Sequence, residues 1–519
     1  MNDLSLPRAA TSAAVVAFVA LWTAVGHGQL SPAPVVKTMI QETGLPAIDR
    51  GLRDQDPPRE ARTALNADRI RKGNDDTLPY VRGSIIVKFK EDATRGGISA
   101  ATAQVAGALA DRSSWADFDI MAIPSDADPE SAAAAMRQRA DVEYAQPRYL
   151  NHAMARPNDT LYANQWNFPA IDMERAWDIQ PGASSSIIVA VLDTGMAFQT
   201  ATLRYNSRVP YRLTPFGPLN PPLGIVSVPF AAAPELGPSG SPRFVSPRDF
   251  IWNDDMPVDL DGHGTHVAGT IGQLTNNNNG TAGMAYNVRL MPVKVIQGVW
   301  DDIFGSPFGG TDDVVARGVR YAADNGANVI NLSLGRENGG PATVVTDAMR
   351  YAVSRGCFVV VASGNSRLDG NEQNRLAVAA PQIDGMVAVG AVGRTLDLAA
   401  YSTTAPYVEL SAPGGDQRRG GTAAGILQQT LDLDQIEDYT RPPRADSFAY
   451  EFFQGTSMAT PHVAGFAALL MQQGITNPAA IEAAMKQFST DKGVAGRDDS
   501  YGFGLINPRA TLRGLGLAR

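Results

Sequence analysis

Five short apolar runs constrain this chain most: 187–193, 288–296, 328–334, 357–362 and 386–392. Each is nearly continuous in Val, Ile, Ala and Leu instead of alternating with polar residues. Strands of that kind are buried on both faces, which calls for a parallel sheet covered by helices on both sides. The stretches between them agree. Thr311 precedes a run whose Val314, Val315, Val319 and Ala322 share one side and which Gly326 ends; a second helical run covers 342–355 and stops at Gly356. The pattern predicts a three-layer, doubly wound, mostly parallel α/β domain over about 158–512. Two segments break the rhythm. The proline-rich 205–248 and the polar, glycine-rich 414–450 both read as surface loops or insertions.

A smaller unit stands upstream. Strand-like runs at 84–90, 117–123 and 142–145 alternate with helix-compatible stretches at 97–111 and from Asp128-Pro129-Glu130 through Arg139. This order over 80–152 suggests a small α+β, ferredoxin-like domain. Residues 29–79 are rich in Pro, Arg and Asp without periodicity and read as a linker or loosely ordered arm. The uncharged run 13–26 would be about 21 Å long as a helix, short of the roughly 30 Å hydrocarbon core. A secretory signal peptide over 1–28 is expected, and with it a secreted protein, extracellular or periplasmic.

Composition removes several function classes. Lys plus Arg number 44 against 53 Asp plus Glu, a formal charge of −9, which argues against nucleic-acid binding. The only cysteine, Cys357, excludes an internal disulfide framework and a cysteine-rich metal site. It opens a buried-strand pattern with no base adjacent, so it reads as a core residue.

Three motifs carry chemistry. The first strand ends in Val191-Leu192-Asp193-Thr194-Gly195, and ligands of open α/β sheets sit outside the carboxyl ends of strands. Asp193 is therefore either a reacting carboxylate or the cap of the next turn. Gly262-His263-Gly264-Thr265-His266-Val267-Ala268-Gly269 puts a histidine at a helix start between glycines. Its two histidines are three apart and lack the Glu of His-Glu-x-x-His, which speaks against zinc and leaves His266 to packing. Gly455-Thr456-Ser457-Met458-Ala459-Thr460-Pro461-His462 opens an apolar helix, with Ser457 where the helix dipole favours a developing negative charge. An ordinary N-cap serine is the plain alternative. His462, inside the helix, is assigned to packing.

The order Asp193, His263, Ser457 is that of the subtilisin arrangement and differs from the chymotrypsin and α/β-hydrolase orders. With Asn331-Leu332-Ser333-Leu334-Gly335, Ala362-Ser363-Gly364-Asn365 and the closing Tyr501-Gly502-Phe503-Gly504, the sequence from about Trp166 to Ala510 resembles the subtilases, subtilisin-like serine endopeptidases. The resemblance implies a catalytic triad of Asp193, His263 and Ser457. It implies an oxyanion hole of the Asn365 amide and the Ser457 N–H, and an edge strand Ser333-Leu334-Gly335 on which an extended peptide substrate lies. It also implies that the upstream domain is an inhibitor-like propeptide, acting on its own chain and removed at a bond between Tyr149 and Pro157.

No cofactor is required for such chemistry. Asn277 and Asn279, in the run 276–279, resemble the family's calcium loop, with a polar turn as the alternative; the acidic stretch 253–261 is a second candidate for an ion or a solvated loop. The loop 304–311, with Phe304 and Phe308, would line the substrate cleft or cover the core. The expected partners are protein or peptide substrates and the chain's own propeptide, with no nucleic acid, and a monomer is expected. Two other functions share the pattern: a catalytically silent secreted binding module, and a peptide ligase on the same scaffold.

Overall fold

The computed structural model describes residues 80–111, 115–149, 156–208, 210–213, 217–307, 309–439 and 441–514. The expected signal peptide, the 29–79 arm, His152 and Phe308 lie outside these residues. The described chain divides into two compact units, one within 80–149 and the other within 156–514.

The smaller unit runs β1 (Tyr80–Phe89), α1 (Arg95–Gln104), β2 (Ala108–Asp111), β3 (Asp119–Ala122), α2 (Pro129–Arg137) and β4 (Val142–Tyr149). Its sheet has the order β2-β3-β1-β4. Ile85, Val87, Met121, Ala133 and Met136 form its core. Asp128 caps α2 by accepting from the N–H groups of Glu130 and Ser131, and Pro129 takes the first helical position. The stretch expected to be helical to residue 111 stops at Gln104 instead. Gly107 lets the chain approach β3, since a Cβ there would lie 2.7 Å from Ala122 O, and the Ala-rich remainder pairs as β2.

The larger unit begins its sheet with β5 (Ile188–Asp193) and continues with a hairpin of β6 (Ala201–Ser207) and β7 (Gly224–Phe230), then β8 (Arg248–Asp249) and α3 (His263–Gly272). After these come β9 (Arg289–Lys294), α4 (Val299–Phe304), α5 (Asp312–Asp324), β10 (Val329–Leu332), α6 (Thr343–Ser354), β11 (Phe358–Ala362) and β12 (Met386–Val392). The remainder is β13 (Leu410–Pro413), the ribbon β14 (Ile426–Leu431) and β15 (Phe448–Phe453), and α7 (Thr456–Gln472), followed by α8 (Pro478–Gln487). Seven strands form one parallel sheet in the order β13-β12-β11-β10-β5-β9-β8.

The strand composition follows from this layering. In β5, Val189 and Val191 pack on the side of α3 and α7, while Ile188, Ala190 and Leu192 pack on the side of α5 and α6. The same alternation divides Phe358 and Val360 from Val359 and Val361 in β11. A polar residue in either set would face a core, at a cost of about 1–3 kcal/mol if left unpaired. Chain order reverses direction at β5, whose neighbours are β10 and β9. Asp193, at its carboxyl end, therefore stands at the topological switch point.

The two irregular segments are not simple surface loops. Residues 201–207 and 224–230 pair as the antiparallel β6–β7 ribbon, and 248–249 add β8 to the main sheet. Within the second segment β14 is buried along its length. Its polar side chains are accommodated by hydrogen bonds: Gln429 Oε1 accepts from Glu235 N, Gln428 Oε1 from Thr281 Oγ1, and Thr430 Oγ1 donates to Gly262 O. The Phe230–Ala445 bridge joins the two segments to each other. Among the described residues no helix is long and apolar enough to cross a membrane.

Candidate active site

Asp193 is fully buried, and its Oδ1 lies 2.6 Å from His263 Nδ1. A carboxylate accepts only, so Nδ1 carries the proton and Nε2 is left as the basic nitrogen. Asp193 Oδ1 also accepts from Thr194 N at 2.8 Å. Burial favours the neutral His263 ring, but the Asp193 carboxylate outweighs it and pushes the imidazole up to about 9. The His263 side chain remains 16% exposed.

Two glycines bring the imidazole there. Gly262 has φ +102°, a conformation that side chains rarely adopt, and it turns the loop into α3. At Gly264 a Cβ would collide with Gly195 O and sit 3.1 Å from Asp193 Cβ, so only glycine lets α3 approach the end of β5 this closely.

Asp259, expected only as part of an acidic stretch that is a candidate for an ion or a solvated loop, holds the arrangement. It is buried. Its Oδ1 accepts from Thr194 Oγ1, Asp261 N and Gly262 N, and its Oδ2 from Thr265 N and Thr265 Oγ1. Thr194 Oγ1 in turn accepts from Gly264 N at 2.9 Å. One carboxylate thus joins the residue after Asp193 to the first turn of the His263 helix, where a negative charge is favoured. The signal was the spacing Asp259-x-x-x-His263-x-Thr265, a cap pattern straddling the histidine.

Ser457 is the second residue of α7 and is partly exposed. Pro461 has no N–H to give to the Ser457 carbonyl one helical turn back. Ser333 Oγ donates to that carbonyl instead, at 2.8 Å, while accepting from Asn331 Nδ2 at 2.9 Å. The Ser457 hydroxyl donates to Ser333 O at 3.1 Å. Asn365 follows the loop after β11. Its Oδ1 accepts from Thr456 N and Thr456 Oγ1, both at 2.9 Å, which turns Nδ2 outward. A Cβ built on Gly455 would lie 3.6 Å from Asn365 Nδ2 and 3.5 Å from Ser457 N, so the two donors face one space.

Leu334 and Gly335, past the end of β10, become progressively more exposed after buried Ser333. Arg336 extends this edge and forms a two-pronged ion pair with Asp312 at the start of α5, 2.9 and 2.8 Å. Phe304 is core and not cleft: it stacks on Tyr205 with ring centroids 4.3 Å apart and on Trp300 at 5.4 Å.

His266 and His462 are packing residues. His266 stacks on Phe453, and its Nε2 lies 3.0 Å from Ile426 O and 3.1 Å from Glu451 O; burial pushes it down to about 3. His462 bonds Met458 O through Nδ1 and meets Asn167 Nδ2 through Nε2, with burial pushing it down to about 4. Cys357 is buried beside Ala327 O, and burial pushes its thiol up to about 12.

At the far end of α3 lies a second polar cluster. Asp159 Oδ2 accepts from Asn276 N, Asn277 Oδ1 from Asn279 N, and Asn279 Nδ2 donates to Glu235 Oε1. Asp159 Oδ1, Glu235 Oε2 and Gln273 Oε1 are buried without a partner among the described residues. Burial raises Asp159, and burial pushes Glu235 up to about 7. No group of three or more His, Cys, Asp or Glu residues gathers as a metal site among the described residues. The acidic stretch 253–261 does not gather one either: Asp254 Oδ1 accepts from Met256 N, Asp255 pairs with Arg248, and Asp259 is used as above.

Comparison with known proteins identifies the family. The subtilase family model matches residues 184–504, and the model of the fervidolysin N-terminal prodomain matches 66–148. The chain is 32% identical over 431 residues to a thermophilic serine proteinase of Bacillus sp. (strain AK1), covering 82% of this chain and 86% of that protein. It is 31% identical over 319 residues to thermitase of Thermoactinomyces vulgaris, covering 61% and 86%. A solved protease of Pseudoalteromonas arctica superposes with a TM-score of 0.50 at 27% identity, over 69% of this chain and 99% of that one. The subtilisin-like fold, the prodomain and the serine-protease character are thus shared with these relatives, and this chain belongs to the subtilase family of serine endopeptidases.

Proposed function

We propose that the chain is a secreted, self-processed zymogen that hydrolyses peptide bonds through Asp193, His263 and Ser457. The observation that carries this reading is the 2.6 Å contact between Asp193 Oδ1 and His263 Nδ1 at the sheet's switch point. Ser457 Oγ turns from Ser333 O toward His263 Nε2 and gives up its proton as it bonds the scissile carbonyl carbon. The oxyanion that forms is held by Asn365 Nδ2 and Ser457 N–H, donors of a kind whose single loss costs about 10²–10³ in turnover. The C–N bond then breaks, and His263 passes its proton to the leaving amine. Water, deprotonated by His263, releases the acyl group. Substrate pairs with Ser333-Leu334-Gly335 by main-chain hydrogen bonds, a mode that tolerates many sequences.

The unit within 80–152 is the propeptide and inhibits its own chain until cut between Tyr149 and Pro157. The mature domain spans 158–512. A leader at 1–28 directs export, and the apolar run 13–26 supports this.

The cluster beside α3 fits calcium. Its partnerless buried oxygens, on Asp159, Glu235 and Gln273, are hard ligands without sulfur or imidazole; Gln273 Nε2 is buried beside them, also without a partner among the described residues. Asp159, Glu235 and the amide oxygens of Asn277 and Asn279 would hold the ion, which neutralises the two carboxylates and fixes the loop. It takes no part in the reaction.

The test is Ser457→Ala in the full chain. The variant accumulates unprocessed and neither cleaves peptides nor reacts with a fluorophosphonate, while the wild type is processed, cleaves peptides and is labelled. Trimming of the pure variant at the wild-type rate rejects self-processing; an unlabelled wild type rejects the protease reading.

A further inference from the structure

Lys294 ends β9 and stands beside Asp193 in the parallel ladder. Neighbours in register raise their side chains on one face of a sheet, so the ammonium and the carboxylate share a face. Lys294 is completely buried. Its Nζ donates to Thr194 O at 2.6 Å, to Val258 O at 3.3 Å and to Asp301 Oδ2 at 2.8 Å. Asp301 is itself buried, and accepts from Gly298 N at 2.9 Å and from Trp252 Nε1 at 2.8 Å. All three ammonium protons are therefore directed, two of them to backbone carbonyls.

The two carbonyls are informative. Thr194 follows Asp193, and Val258 precedes Asp259, the carboxylate that organises the first turn of the His263 helix. Fold stability alone does not call for a charge here, because an apolar side chain of similar volume commonly replaces a buried ion pair without loss. The ammonium adds a fixed point to which the acid's turn and the base's loop are both tied. Burial opposes the charge on Lys294, but Asp301, Asp249 and Asp259 outweigh it and hold the ammonium protonated.

We propose that Lys294 is a positioning residue for the Asp193–His263 pair, its buried ammonium clamping the carbonyls of Thr194 and Val258 so that acid and base meet in one geometry. The proposal rests on the protease reading above. The charges facing Lys294 are Asp301 on α4, Asp249 on β8 and Asp259 in the preceding loop; those facing His263 are Asp193, Asp261 and Asp259, with His266 neutral on its own helix.

The experiment compares Lys294→Met, Asp301→Asn and the double variant, each in the full chain. It measures kcat and KM on a chromogenic peptide across pH, per serine titrated with a fluorophosphonate. The double variant leaves no orphaned charge in this pair and lowers kcat about tenfold to a hundredfold with little change in KM, as misplacement of reacting groups does. Lys294→Met removes a cation near the imidazolium and moves the acid limb of kcat/KM to higher pH. Asp301→Asn removes an anion while sparing both carbonyl contacts and moves the limb to lower pH. Packing damage does not produce opposite shifts. A kcat within twofold of wild type in the double variant, or limbs of the two single variants moving in the same direction or not at all, overturns the proposal. If either variant lacking Lys294 fails to mature, Lys294→Arg decides it: it keeps the charge while displacing the donors from the two carbonyls, and a kcat within twofold of wild type overturns the proposal. A wild type that the fluorophosphonate does not label rejects the protease reading instead.

Discussion

The two ends of α3 gather carboxylates in opposite ways. At the amino end Asp193, Asp259 and Asp261 surround the first turn; Asp259 accepts five hydrogen bonds from backbone and threonine donors, and one oxygen alone, Asp193 Oδ2, is left buried without a partner among the described carboxylates of this turn. At the carboxyl end Asp159, Glu235 and Gln273 keep buried oxygens without partners among the described residues. Arg243 Nε donates to Val288 O and its guanidinium also reaches Leu236 O and Gly272 O, so it serves carbonyls there instead of those carboxylates. The amino end is preorganised by the chain itself, as a reacting site must be. Under the calcium proposal an ion completes the carboxyl end. A helix rigidly held at both ends presents His263 in one place, and breaking either end separates the two contributions.

The largest effect is expected from Asp193→Asn. The amide no longer enforces the Nδ1–H tautomer, and kcat falls on the order of 10⁴-fold. The sign at the ring is also diagnostic. With the carboxylate gone, burial dominates and the imidazole falls from about 9, so the acid limb of the residual activity moves to lower pH. A limb that stays fixed shows that Asp193 does not govern His263.

Next comes Asp259→Ala, which orphans the N–H groups of Asp261, Gly262 and Thr265. The expected cost is about 2–4 kcal/mol from the unmet donors and the lost cap. Both thermal midpoint and kcat drop. Loss of stability with kcat unchanged confines Asp259 to the fold.

At the other end the probe is chelation. Glu235 is raised from 4.5 to about 7, so the folded state holds a proton that the unfolded state releases. In the absence of calcium, the associated stability is present below pH 4.5 and is lost as pH rises through about 7. Bound calcium removes that dependence by pairing with the ionised carboxylates. EGTA therefore lowers the thermal midpoint strongly at pH 8 and little at pH 5; the stability lost at pH 8 is about 3 kcal/mol where calcium exceeds its Kd a hundredfold. Equal midpoints with and without EGTA at pH 8 exclude the site.

What could be read in the sequence follows from which interactions leave a pattern. The five apolar strands were legible because each faces two cores, and the two helix starts because glycine and a polar residue punctuate them. Lys294 was not, since a single buried charge has no periodicity and its partners lie at residues 194, 258 and 301; Asp259 left only its short spacing to Gly262 and Thr265, while its bond to Thr194 joins distant parts of the chain. β14 was misread for the same reason: Gln428, Gln429 and Thr430 look solvated, yet distant groups satisfy them. Asn365 depended on resemblance, and only the structure showed that Thr456 turns its amide. Ala-rich 97–111 misled because alanine suits α1, while Gly107 and the pairing with β3 made its last part a strand.

Smaller effects sharpen the comparison on the nucleophile's side. Ser333→Ala removes the donor to the Ser457 carbonyl that Pro461 leaves free, a neutral hydrogen bond of about 1 kcal/mol, or roughly a fivefold loss of kcat. Adding Pro461→Ala returns a helical N–H to that carbonyl and restores part of the loss; a further fall instead shows that the carbonyl is not what Ser333 serves.

The smallest effect belongs to Arg336 and Asp312. Their ion pair links the end of the proposed substrate edge to the start of α5, but the side chains are 30% and 28% exposed. Solvent screening limits such a pair to about 0.2–1 kcal/mol even in two-pronged geometry. Asp312→Asn therefore raises KM no more than a few-fold, leaves kcat unchanged, and loses its effect in 1 M salt, where the screening length is about 3 Å. Neither end of α3 is touched by this change, so a fall in kcat would mean that the edge and the catalytic pair move as one body and that the rigidity assigned to α3 extends across β10.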